Sequence, residues 1–149
     1  MITVKRFTAK WCGPCRMLAP IMNNLETEYP QVTFEVIDTE ESPLEVTKYD
    51  IRSIPTVIIL KDDVDFLVEG KYIVECYGDF WHCNPQRYSA EYFNKGKRKT
   101  ATEVWKRDAC RKQKFEELGY TFLHVWESEI NGDPKAVRNK IKKLIKNKG

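Results

Sequence analysis

The chain has 149 residues, 42% of them hydrophobic, with seven Gly and seven Pro. That composition excludes a low-complexity chain and suits one domain or two small ones. The net charge is +3, but residues 1–62 hold 7 basic and 9 acidic side chains, whereas residues 63–149 hold 18 and 13. The change of sign marks two parts of different character and gives the second a mild preference for polyanions. The lysines of 140–148, taken alone, read as the solvated face of a terminal helix. No apolar run approaches the ~20 residues that cross a bilayer, and the start MITVKRFTAKWC lacks the apolar core of a signal peptide. No membrane segment, a cytoplasmic location and a monomer are expected. The five cysteines are unevenly spaced and do not form a disulfide framework. No internal repeat is visible.

In chain order, VKRFTA (4–9) reads as a short strand and RMLAPIMNNLETEY as a helix with Met17, Leu18, Ile21, Met22 and Leu25 on its apolar stripe. VTFEVID (32–38) alternates and is β-branched, as a strand does. SPLEVTKYD (42–50) reads as a short helix with Ser42 at the N-cap and Pro43 at N1. TVIIL (56–60) is a continuous apolar run, suited to a buried strand. The order β-α-β-α-β gives an α/β core.

Between the first strand and the first helix stands Cys12-Gly13-Pro14-Cys15. Two thiols at this spacing can close a small disulfide ring. The unpaired N–H groups of a helix start stabilise a thiolate on the first, and the second can resolve a mixed disulfide. Half a zinc site or two inert thiols are the alternatives; a zinc site usually needs a second Cys/His pair, and residues 1–62 contain none.

The motif WCGPC with IRSIPT (51–56) resembles the thioredoxin family over residues 2–62. The resemblance implies Cys12 as attacking thiol, Cys15 as resolving thiol, a cis peptide bond at Pro55, and Trp11 shaping the substrate surface. It implies protein disulfides as substrates and no cofactor for this half. Arg6 stands where the family often carries a buried aspartate. Residues 64–69 and 134–147 are the candidates to imitate the family's last strand and last helix.

Strands are expected at 64–68 and 71–77 around a Glu69-Gly70 turn. DFWHCNPQRY is a loop, 100–119 a helix with Gly119 at C′, 120–128 a strand, and 134–147 a terminal helix. Val104, Trp105, Phe115 and Leu118 mark the apolar stripe of the long helix, and Asp108 falls on it. A carboxylate there is costly unless paired or binding something. Asp65, His82 and Asp108 either converge on a metal and a water, or Asp108 pairs with Arg107 or Arg111 while His82 packs on Trp81.

Val64-Asp65-Phe66, FWH (80–82), KRD (106–108), Gly119-Tyr120 and VWE (125–127) resemble, over residues 64–130, the very-short-patch-repair (Vsr)-like endonucleases and related homing endonucleases of phage genomes. That resemblance implies Asp65 as ligand of a divalent metal, Mg, with His82 as general base or partner of a metal-bound water and Asp108 in support. Glu75 is a substitute acid ten residues past Asp65. The family's upstream helix with its catalytic glutamate has no counterpart, and Asp79 and Ser128 stand where two zinc-binding cysteines would fall, so Cys76, Cys83 and Cys110 read as ordinary semi-buried thiols. Duplex DNA is the implied partner, met by Phe80, Trp81 and Tyr88 through stacking and by Arg87, Lys95, Lys97, Arg98 and Lys99 at phosphates. The reading is therefore an α/β chain. A truncated thioredoxin-like β-α-β-α-β half (1–62) precedes a restriction-endonuclease-like β-β-α-β-α half (63–149). Disulfide exchange is the leading activity, with a metal-dependent DNA endonuclease or a non-catalytic chimera as alternatives.

Overall fold

The computed structural model describes residues 1–61 and 70–146. The strand expected at 64–68, Asp65 and the last position of the 134–147 helix lie outside these residues. The first elements follow the expected order: β1 (Ile2–Thr8), α1 (Gly13–Glu28), β2 (Thr33–Asp38), α2 (Pro43–Lys48) and β3 (Thr56–Lys61). Then come β4 (Gly70–Tyr77), a two-stranded ribbon of β5 (Phe93–Asn94) and β6 (Lys99–Thr100), α3 (Ala101–Glu117), β7 (Tyr120–Trp126), α4 (Glu127–Gly132) and α5 (Pro134–Lys146).

Five strands form one sheet in the order β2-β1-β3-β4-β7. β2 is parallel to β1, β3 is antiparallel to β1 and to β4, and β7 is parallel to β4. The sheet runs across the place where the composition changes, since β3 and β4 pair from Thr56↔Glu75 to Lys61↔Gly70. The two parts share one sheet.

Alternation along the strands divides the core. On one face Val4, Val57, Ile59, Val74 and Val125 meet Leu18, Ile21, Met22 and Leu25 of α1 and Val137, Ile141, Leu144 and Ile145 of α5. On the other, Phe7, Ile58, Ile73 and Phe122 lie beneath Tyr49, which follows α2, and Phe115 of α3. β3 is buried on both sides, which accounts for its unbroken apolar run. The segment expected to imitate a final helix lies against α1, where Glu28 pairs with Arg138 and Lys142.

Several expectations need correction. Met17 is exposed, because the stripe of α1 passes through Cys15 and Leu18 and leaves their neighbour outside. Leu118 is exposed as well; it is the C-cap of α3, beyond the last packed turn. Gly119 follows with φ +86°, the left-handed C′ geometry expected of it. At the other end Thr100 and Glu103 form a capping box. The final strand stops at Trp126, and α4 occupies the residues after it. Ser42 is the N-cap of α2, but its side chain makes no capping bond.

Candidate functional site

The end of β1 delivers the chain to the start of α1, and Cys12 is the N-cap of that helix. Its Sγ accepts the backbone N–H of Cys15 at 3.2 Å. Cys12 and Cys15 are joined as a disulfide, and both are 3% exposed. In the dithiol form, the same N–H and the positive end of a sixteen-residue helix would favour negative charge on Cys12. Ala9 packs with the two cysteines, and Ile54 covers them from the loop before β3. The Ile54–Pro55 peptide bond is cis, and Pro55 is buried.

Trp11 is 66% exposed beside the pair, with its indole N–H donating to Glu40 at 3.0 Å. Arg6 lies on the face of the sheet that carries Val4, and it is 9% exposed. Burial draws its guanidinium below the ordinary value, with Glu26 opposing. A cation therefore occupies the position where the resemblance leads one to expect a carboxylate.

Residues 2–73 match the thioredoxin family. Thioredoxin H5 of Oryza sativa subsp. japonica is 42% identical over 71 residues, covering 46% of this chain and 53% of that protein. A thioredoxin of Chlamydia pneumoniae is 50% identical over 56 residues, covering 38% and 55%. Among solved structures, Fasciola hepatica thioredoxin is 38% identical, covers 41% of this chain and 59% of that one, and has a TM-score of 0.40. The chain spans about half the length of the curated relatives named here. The matched residues end within β4, and of the remaining candidates Glu75, His82 and Asp108 stand beyond the match.

His82 and Asp108 come together: Nδ1 of the imidazole is 2.8 Å from Oδ2 of the carboxylate. The His82 ring stacks on Tyr77 at 3.9 Å and 5°, not on Trp81. Arg111 does not partner Asp108 either. Its Nε and Nη2 both donate to Glu75 Oε1, at 2.9 and 2.5 Å, and Nη2 also donates to the Asp50 carbonyl at 3.0 Å. Glu75 is 1% exposed and fully engaged in that pair, which disfavours it as a substitute metal ligand. Among the described residues, no three His, Cys, Asp or Glu side chains gather to hold a metal ion. These donors do not fit a metal, and Asp65 lies outside them.

These groups line a cleft of about 290 Å³ between the loop 50–53 and α3, with Lys97, Lys99, Arg107 and Lys114 on its walls. Burial pushes the Asp50 carboxyl up, but Arg52, Lys114 and Arg111 together hold it below its ordinary value. Arg111, one helical turn beyond Asp108 and a candidate partner for it, turns instead to Glu75 and Asp50, and nothing local in the sequence marks Asp50 for that place.

Asp79 and Ser128, 49 positions apart, meet at 2.9 Å, and Asn84 donates to the same carboxylate oxygen at 2.6 Å. A hydrogen-bonded knot therefore stands where the second resemblance would put zinc-binding cysteines. Cys76 and Cys83 are buried rather than semi-buried, and Cys110 is exposed. Burial pushes the Cys76 thiol up to about 12, with Glu127, Asp79 and Glu129 adding to the effect. Of the aromatics suggested for DNA stacking, Phe80 and Trp81 are exposed, whereas Tyr88 packs on Tyr92 at 4.5 Å.

Proposed function

We propose that the chain is a thiol–disulfide oxidoreductase working through Cys12 and Cys15 on protein disulfides. The observation that carries the reading is the N-cap position of Cys12, whose sulfur takes the Cys15 N–H at 3.2 Å within a pair that closes a disulfide. In the reduced protein the Cys12 thiolate attacks one sulfur of a substrate disulfide. The substrate S–S bond breaks, and one substrate thiolate leaves and takes a proton. Cys15 then loses its proton and attacks Cys12 Sγ, which expels the second substrate thiol and forms Cys12–Cys15. Two electrons pass to the substrate, and a dithiol reductant must restore the pair. Arg6 offers no base for the Cys15 proton, so water takes it. Trp11 flanks the exchange as an exposed apolar wall.

Trapping tests this directly. A Cys15→Ser protein should accumulate a mixed disulfide through Cys12 with a disulfide-containing protein, visible by mass and reversed by dithiothreitol. Cys12→Ser should give none. An equal adduct on both would remove the reading.

A second reading rests on the His82–Asp108 pair. A carboxylate that fixes an imidazole beside several cations suits general-base attack on a phosphodiester. Metal-dependent cleavage of duplex DNA would need Asp65 to supply the metal site. DNA nicking with magnesium that disappears in Asp108→Ala would support this reading, and nicking that persists would remove it.

A further inference from the structure

The loop that covers the dithiol also forms one wall of the basic cleft. Ile54 packs on Cys12 and Cys15, while its neighbours Ser53 and Arg52 line the cleft. The carboxylates in the cleft are already engaged: Glu75 with Arg111, Asp50 with Arg52, Arg111 and Lys114, and Asp108 with His82. Among the described residues, no carboxylate lies within ion-pair distance of Lys97, Lys99 or Arg107 on the opposite wall. Lys97 rests over the Trp81 ring, an aromatic partner that leaves its charge unneutralised. The Ser53 hydroxyl, at the junction of loop and cleft, is buried and finds no hydrogen-bond partner among the described residues. A buried hydroxyl is normally paired.

We infer that this cleft receives an acidic segment, rich in Asp and Glu, of the protein whose disulfide is exchanged at Cys12. The inference rests on the redox reading and names the substrate class of that site. A chain leaving the dithiol along Ile54 reaches Ser53 and Arg52 within two residues. Its carboxylates would then face Lys97, Lys99 and Arg107, and a carboxylate or carbonyl oxygen would accept the Ser53 hydroxyl. The cleft, about 290 Å³, has room for one or two side chains rather than for a duplex. Its excess of unpaired cations selects for negative charge.

The test uses the full chain, pre-reduced, in single turnover with two peptides. Both contain the same intramolecular disulfide loop; one is flanked by three Asp/Glu residues and the other by the matching Asn/Gln. The acidic peptide should half-saturate the rate at about tenfold lower concentration. The advantage should shrink as salt rises from about 0.05 to 0.5 M. Reversing Lys97, Lys99 and Arg107 to Glu together should abolish it, while the rate with a small neutral disulfide stays unchanged and shows that the variant is folded. Equal rates for the two peptides in the intact protein would overturn the inference and leave the redox reading standing. An advantage erased by a stoichiometric duplex oligonucleotide would overturn it in favour of DNA in the cleft. Failure to exchange even the small disulfide in a Cys12-dependent way would remove the redox reading itself.

Discussion

The backbone N–H of Cys76 donates to the carbonyl of Pro55 at 3.0 Å. One residue lies in β4, beyond the change of composition, and the other is the proline beside the dithiol. The strand of the basic part thus holds the loop of the acidic part, and α5 adds its apolar side to the core that α1 shares with the sheet. Such a molecule should unfold as one unit. Urea titration followed by far-UV dichroism and by tryptophan fluorescence, which samples Trp11 in one part and Trp105 and Trp126 in the other, should give coincident single transitions. Two separated transitions would mean independent halves.

Arg111 is the partner that makes a buried Glu75 tolerable. Arg111→Ala strands a charge that is 1% exposed and should cost about 3–5 kcal/mol of stability. A Glu75→Gln/Arg111→Met double variant should recover much of the loss, because it removes both charges and keeps the volume. The measurement is denaturant unfolding of the three proteins.

The order of the first elements was legible because their apolar patterns are unambiguous: β3 is apolar throughout, and α1 carries a clean stripe from Leu18 to Leu25. The dithiol was legible from two cysteines and their spacing. The pairing of His82 with Asp108 was harder. Both residues stand out in the sequence, but which of several neighbours each chooses depends on how α3 settles on β4, and no local pattern encodes that. The same holds for the bridge from Glu75 through Arg111 to Asp50, whose bonded neighbours are 36 and 61 positions apart in the chain. The capping box of α3 has a local signature, Thr100 followed three residues later by Glu103. The helix α4 was not, since Glu127–Gly132 carries no apolar repeat of its own.

The three remaining thiols should differ sharply in reactivity. Cys110 is exposed on α3, Cys83 is fully buried, and Cys76 is both buried and held protonated by its surroundings. In the oxidised protein near pH 8, iodoacetamide should add once, at Cys110, and three times after denaturation. Mass spectrometry reads the count, and a second adduct on the folded protein would contradict the burial of Cys76 or Cys83.

His124 stacks on Tyr77 at 4.7 Å and meets Trp126 edge to face. Burial lowers its pKa, Lys112 and Lys140 add to that, and Glu129 and Asp108 oppose them. The unfolded chain therefore binds the proton first. The associated stability is complete above about pH 6.5 and is lost as the pH falls from there toward the folded value. Thermal melts between about pH 5 and 7 should show a decline with acid that His124→Gln makes shallower. An unchanged slope in the variant would assign the decline to other groups.

The central claim is that Cys12 and Cys15 exchange disulfides beside a sheet extended by β4 and β7 and covered by α5. Its most direct test is reduction of a protein disulfide by the purified chain with a dithiol as electron source, beside Cys12→Ser. Turnover well above the uncatalysed rate, lost entirely in the variant, is the predicted result. Turnover no greater than that of Cys12→Ser would contradict the claim.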